Sequence, residues 1–280
     1  MKLTVQTAAL NQALGVVARM TNTRASLPVL ANVLLEAQND SLRLSATNLE
    51  TSVSVTVRAK VESHGALMVP GRTLADIAKI LPDGPVSLDI ATNNRLLVRA
   101  NGQTSRLAGI PAEEFPPLPE ADGDPILTLQ VEELQAIART VAFAASKDDA
   151  RPVLTGVLFQ QDVLAASDGF RLAETHLGND SATKGSHIVP AGVFADLARI
   201  ATGAVQVYIT SRSQIVFIGD SLLYAAALIE GTFPDYHNII PARSDTTVQI
   251  AVDDLIPVLK AALVFGREAA DKVDVEIVPG

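Results

Sequence analysis

Arg151-Pro152-Val153-Leu154-Thr155-Gly156-Val157-Leu158-Phe159, a polar break at Gln160–Asp162, and then Leu164-Ala165-Ala166-Ser167-Asp168-Gly169-Phe170-Arg171-Leu172 form the stretch on which the fold turns. Two apolar runs flank the break, which predicts a β-hairpin. Ser167-Asp168-Gly169 then supplies a turn, because Asp and Gly accept bent backbone that a strand does not. Past that turn, Phe170, Arg171 and Leu172 are expected to leave the sheet together. An aromatic, a cation and an aliphatic side by side suit a peptide-docking patch. Local pattern alone favours an ordinary hairpin corner. The balance shifts because the stretch has a counterpart elsewhere in the chain.

That counterpart is part of a repeat. Leu3-Thr4-Val5-Gln6-Thr7-Ala8-Ala9-Leu10 is answered by Leu127-Thr128-Leu129-Gln130-Val131-Glu132-Glu133-Leu134, and again by Val248-Gln249-Ile250-Ala251-Val252-Asp253-Asp254-Leu255. Each reads as an alternating strand leading into a helix, at a spacing of about 120 residues, too long for a solenoid. Leu27-Pro28-Val29-Leu30 matches Arg151-Pro152-Val153-Leu154, the segment from Val69 to Ile80 matches Val189 to Ile200, and Phe115-Pro116 matches Phe233-Pro234. Ordered matches of this kind mark duplicated domains, expected at 1–120 and 125–243, with an incomplete third at 244–280. Val53, Val55 and Val57 alternate with polar residues as a half-buried strand does. Leu10, Leu14 and Val17 share a helical face, as do Leu74, Ile77 and Leu81. Each full repeat is therefore an α+β unit, two helices packed on antiparallel sheets. The third offers a helix (about 254–265) and one strand (273–277), which cannot bury a core alone. It either docks on the second domain or belongs to a truncated version of something longer.

Composition bounds the function. Of 280 residues, 48% are hydrophobic and 19% charged, as in packed globular protein. The absence of Cys excludes disulfides, thiolate metal sites and Cys nucleophiles. No apolar run reaches the roughly 20 residues of a membrane helix, and the N-terminus lacks a signal core, so a cytoplasmic protein without membrane contact is expected. A net charge of −9 argues against nucleic acid taken whole, but the cations sit in particular places. Arg19, Arg139 and Lys260 fall late in one set of helices; Arg72 with Lys79, and Arg199, belong to the other. The helix macrodipole alone accounts for basic C-termini. The alternative is a concave surface lined by helices and positive toward a phosphate backbone, joined by Arg24 from one loop and by Lys147 and Arg151 from its equivalent. Such contacts carry no base information.

An enzyme is hard to find. There is no Gly-x-Ser-x-Gly, Walker loop or Gly-x-Gly-x-x-Gly. His64, His176, His187 and His237 lack ligand spacing. Ser167-Asp168 near His176 is a poor triad, since adjacent turn residues rarely act as nucleophile and orienter together. Asp274 and Glu276 share a predicted strand face, for which ordinary solvation is a sufficient account. Neither a metal nor a cofactor is expected.

Taken together, Leu27-Pro28-Val29-Leu30, Arg151 to Gly156, Ser167 to Leu172, and Gly231-Thr232-Phe233-Pro234-Asp235-Tyr236 resemble the bacterial DNA polymerase III beta subunit, the sliding clamp. The resemblance implies a DNA-clamp fold and a homodimeric, head-to-tail ring around duplex DNA. Such a ring binds without regard to sequence and tethers the polymerase III catalytic subunit, clamp loader, other polymerases and repair proteins by a short peptide motif. Carried over by motif, the peptide site holds Leu154, Ser167, Gly169, Phe170, Arg171, Leu172 and Pro241. Phe170 stands where many members have histidine, keeping a flat ring and losing a polar edge. The DNA-facing set is Arg24 and Arg72, with Lys147 and Arg151; the helix cations Lys79, Arg139 and Arg199 complete it from the charge pattern. The dimer edge is Gln103, Ser105, Arg106, Leu107 and Ala108, meeting a surface around 261–267 with Leu263 and Phe265. A full member continues for most of another domain. Two other functions remain open: a peptide-binding module that forms no ring, and an uncharacterised enzyme on a duplicated scaffold.

Overall fold

Leu3 and Val5 alternate with Lys2, Thr4 and Gln6 and are fully buried while their neighbours face outward. The chain thus opens as strand β1 (Lys2–Gln6) and runs directly into helix α1 (Thr7–Val17). The computed structural model describes residues 1–21, 27–178, 185–243, 246–266, 273 and 275–276. The first repeat continues with β2 (Asn32–Gln38), β3 (Ser41–Thr47), β4 (Thr51–Arg58), β5 (Lys60–Ser63), β6 (Gly65–Pro70), α2 (Gly71–Ile80), β7 (Pro85–Ala91), β8 (Arg95–Ala100) and β9 (Gln103–Ala108). The second runs β10 (Leu127–Leu129), α3 (Val131–Thr140), β11 (Gly156–Gln160), β12 (Val163–Ser167), β13 (Leu172–His176), β14 (Ser186–Pro190), α4 (Ala191–Ile200), β15 (Val205–Ile209), β16 (Gln214–Ile218) and β17 (Leu222–Ala227). Apart from β5, the order is the same twice, an α+β fold as the duplication predicts.

The sheets are ordered β5-β1-β7-β8-β9, β10-β15-β16-β17-β4-β3-β2-β6, and β13-β12-β11-β14. The eight-stranded sheet crosses from one repeat to the other. Its joint is the antiparallel pair β17–β4, with Leu223 opposite Ser54, Tyr224 opposite Val53 and Ala225 opposite Ser52. Backbone bonds frame the joint at both ends: Ala227 N–H donates to Glu50 O at 2.8 Å and Thr56 N–H to Ser221 O at 2.9 Å. A shared sheet explains why residues 1–233 form one compact unit although two repeats contribute to it. One continuous apolar core runs through that unit, from Leu3, Leu10 and Leu14 to Phe194, Phe217 and Tyr224. Helices pack in pairs on the sheets, α1 with α2 and α3 with α4. The acids at the start of α3 do what the macrodipole argument requires. Glu133 accepts the Gln130 N–H at 2.7 Å and closes a capping box.

Residues 234–280 form a second unit. It contains a short 3-10 helix at His237–Ile239 and helix α5 (Val252–Gly266). Two sequence expectations need correction. Residues 248–251 are not a strand: no β partner exists for them among the described residues, and Val248 and Ile250 are about half exposed. Lys260 lies in the middle of α5, and Arg19 lies past the end of α1, so neither cation caps a final helical turn. The strand expected at 273–277 includes Asp274, which lies outside the described residues, as does Arg24. No described helix is long and apolar enough to cross a membrane.

Candidate peptide and DNA contact site

The hairpin read from the sequence is β11–β12, with Phe159 opposite Leu164 and Leu158 opposite Ala165. Burial of Val157, Leu158 and Phe159 fixes its register, because a one-residue slip would turn the apolar set outward. The turn after β12 is held by side chains. Asp168 Oδ1 accepts the Phe170 N–H at 2.9 Å and the Arg171 N–H at 3.1 Å, and Oδ2 accepts Arg171 Nε at 3.0 Å. Ser167 Oγ accepts the Gly169 N–H at 3.1 Å and donates to Arg171 O at 2.7 Å. Gly169 has φ of +91°, and a Cβ there would lie 3.3 Å from Arg151 Nη1. Phe170 N–H above all, then the Arg171 N–H and guanidinium, hold the Asp168 carboxyl below its ordinary pKa.

The segment does not leave the sheet as a block. Leu172 re-enters it as the first residue of β13, opposite Ser167. Ring-out Phe170 is 95% exposed and Arg171 lies over the Phe143 ring at 5.3 Å. A shallow cleft of about 440 Å³ links Lys147, Asp148 and Arg151 with Asp168, Phe170 and Arg171. Asp148 is held much as Asp168 is: it accepts the Ala150 N–H at 3.0 Å and pairs with Arg151 Nε at 3.2 Å. The Ala150 amide first, and then Arg151, lower its pKa. Leu154 ends the 3-10 helix Pro152–Leu154, half-buried, its carbonyl accepting the Ser146 N–H at 2.8 Å. An apolar shelf beside fixed cations thus comes from residues that are far apart in sequence. Phe143 and Asp148 were missed in the sequence; an aromatic in the small-residue run Ala142-Phe143-Ala144-Ala145 was the available signal. Ser167 Oγ is committed to the turn, while His176 bonds Asp162 at 3.1 Å, so the triad geometry is absent. Pro241 is exposed in the second unit.

The helix cations are all exposed: Arg72 and Lys79 on α2, Arg139 on α3, Arg199 on α4. Lys79 and Arg199 each pair with the acid three residues earlier, Asp76 and Asp196. The β9 residues Gln103, Thr104, Arg106 and Ala108 are exposed at a sheet edge, Ser105 is half-buried, and Leu107 is buried. Leu263 and Phe265 on α5 are exposed. Among the described residues no group of three or more His, Asp or Glu could hold a metal.

Known proteins match this arrangement along both repeats. The model of the DNA polymerase III beta subunit N-terminal domain matches residues 1–119, and that of its central domain matches 128–235. The Beta sliding clamp homolog GriR of Streptomyces muensis is 33% identical over 98% of this chain and 76% of its own length. The chain belongs to the bacterial sliding-clamp family. The DNA polymerase sliding clamp of Bacillus subtilis shares the fold with a TM-score of 0.88 at 23% identity, covering 96% of this chain and 75% of that one. A Bartonella birtlesii clamp solved bound to griselimycin is 29% identical, with a TM-score of 0.80 over 88% of this chain and 69% of the other. Sliding clamps are non-catalytic processivity factors of DNA replication, so this chain is not an enzyme.

Proposed function

We propose that this clamp-family chain tethers a DNA polymerase to duplex DNA by taking part in a ring, and that the polymerase docks by a short apolar peptide at the Ser167–Leu172 turn. The observation that carries this reading is the cluster at that turn, where Phe170 stands exposed beside an Arg171 guanidinium fixed by Asp168 and Phe143. An apolar side chain of the peptide packs on Phe170, and Arg171 binds a backbone carbonyl or a carboxylate. Leu154 and Leu172 supply further apolar surface. Arg24, Arg72, Lys79, Arg139, Lys147, Arg151 and Arg199 make weak, exchangeable phosphate contacts that permit sliding. The edge of β9 in one copy and Leu263 and Phe265 of another make the contact between copies. Domains at 1–120, 125–243 and 244–280 and a cytoplasmic location complete the reading.

The test pairs two substitutions with two assays. Arg171→Ala should weaken a fluorescent polymerase-tail peptide about tenfold or more and leave retention on nicked circular DNA unchanged. Arg24→Ala should do the reverse. Both substitutions silent in both assays would overturn the assignment.

A further inference from the structure

The linker between the two repeats stands against the eight-stranded sheet at its joint, and a cavity of about 520 Å³ lies between them. Two rows of side chains cross four strands there in register. Leu34, Ser45, Ser54 and Leu223 form the first row; Glu36, Arg43 and Thr56 form the second. Ser221 continues the second row, its carbonyl accepting the Thr56 N–H at 2.9 Å. Residues directly opposite share a face of the sheet, and the other face carries Leu35, Leu44 and Val53 into the core. The small hydroxyl residues in the middle of the first row leave a trough between Leu34 and Leu223. Ser45 and Ser54 are buried, and Ser45 Oγ donates to Ser54 Oγ at 3.0 Å.

The linker wall is rich in acceptors. Pro116, Pro117 and Pro119 have no N–H to donate. Phe115 N–H donates to Ala112 O at 3.0 Å and Ile126 N–H to Val207 O at 2.8 Å; between them the linker makes no backbone hydrogen bond among the described residues. Side chains hold it in place instead. Phe115 and Leu118 are half-buried, as are Pro116 and Pro119, while Pro117 and Glu120 are exposed. That pattern has the three-residue period of polyproline II, a backbone with no internal hydrogen bonds. Its carbonyls remain open to a donor from outside.

We propose that this cavity binds an extended segment of a partner protein in which an aliphatic or aromatic side chain adjoins a lysine or arginine. Its volume falls within the range of ordinary ligand sites. Leu34, Phe115, Leu118 and Leu223 give apolar walls for the first side chain. Charge selects the second. Glu36, Glu120 and Asp220 line the cavity against a single cation, Arg43, whose guanidinium is already bound to Glu36 at 2.8 Å. Glu120 and Asp220 have no ion pair among the described residues, and the linker from 112 to 125 carries five acids and no Lys or Arg. Backbone N–H groups of an extended segment meet the open linker carbonyls. The same charge repels nucleic acid. The site stands apart from the Ser167–Leu172 turn and has the opposite chemistry. There a fixed cation receives an acceptor; here fixed acceptors receive a cation.

The probe is a fluorescent hexapeptide alternating leucine with arginine, followed by anisotropy on the full chain. Its binding should saturate, and serine in place of its leucines should weaken it about tenfold or more. Glu120→Lys combined with Asp220→Lys, both at exposed positions, should cost about as much. Asp83→Lys combined with Glu132→Lys changes the net charge equally at exposed acids outside the cavity and should alter affinity less than about twofold. In NMR spectra the amides of Ser54 and Leu223 should shift with the peptide, while those of Phe170 and Arg171 stay in place. Equal losses in the two charge variants would mean unspecific attraction to an acidic protein and would overturn the proposal. So would a failure to saturate in the millimolar range. Shifts at Phe170 in place of Ser54 would put the peptide at the other site, and the proposal would fall. Ser54 shifts that grow with protein concentration alone would give the cavity to a second copy, again against the proposal.

Discussion

The turns at Thr47–Thr51 and Ser167–Arg171 are built alike and stand in opposite surroundings. In each, a hydroxyl accepts the N–H two residues on and donates to the carbonyl four residues on, and the next side chain gathers two backbone amides. The first turn adjoins the inter-repeat joint, where Ala227 N–H is bonded to Glu50 O. The second carries an exposed phenylalanine and a cation beside a cleft. The hydrogen-bonded frame is therefore generic, and four substitutions adapt it, the first being Thr51 to Arg171, which supplies the cation. Asn48 becomes Asp168, which adds a charge to hold Arg171. Leu49 becomes Gly169, which removes a strained side chain beside Arg151. Glu50 becomes Phe170.

Breaking the joint should have the largest effect. Ala225→Arg copies into β17 the residue that β9 carries. Ala225 is buried among Tyr208, Val216, Ile218 and Leu223, so the guanidinium would be buried without a partner. Urea unfolding should show a loss of about 3 kcal/mol or more. The turn glycine comes next. Leu49 holds a φ of +78°, costly for a branched residue, and is 55% exposed, so Leu49→Gly should raise stability by about 1 kcal/mol despite the extra chain entropy of glycine. Gly169→Leu should lower stability by at least about 1 kcal/mol and displace Arg151. A rise or no change at Gly169 would show that the two turns differ more than their hydrogen bonds do.

Acid gives the finest distinction. The Asp168 carboxyl is held below its ordinary value, chiefly by the Phe170 N–H. Its contribution is complete above about pH 4, the unfolded value, and is lost as the pH falls through the lower folded one. Asn48 does not titrate. In an NMR titration the amides of Phe170 and Arg171 should move below about pH 4, by much more than the amide of Thr51. Equal movement of the Thr51 and Arg171 amides would mean that the Asp168 carboxyl is not what distinguishes the two turns.

Much of this was legible in the sequence because duplication prints the same periodicity twice. Leu3 and Val5, Leu10 and Leu14, and the hairpin at Gly156–Ser167 are set by local apolar spacing, and the structure places them as that spacing requires. The joint left no such trace. Nothing in Thr51–Val55 says that Leu222–Ala226 will lie against it, since strand pairing between distant segments depends on two edges meeting. Phe143 under Arg171 was hidden for the same reason: its partner lies beyond a hairpin. The segment at 248–251 shows the converse failure, because an alternating pattern proposes a strand but only a neighbour's backbone makes one.

The shared sheet also orders events during synthesis. Strand β4 leaves the ribosome early, yet the strand that covers its edge is made only after nearly all of the second repeat. At the ordinary pace of some 5–20 residues per second, that edge waits for roughly 10 to 30 seconds. The waiting edge alternates Ser52, Ser54 and Thr56 with Val53 and Val55, and until β17 arrives it offers its backbone donors and acceptors to any strand in register.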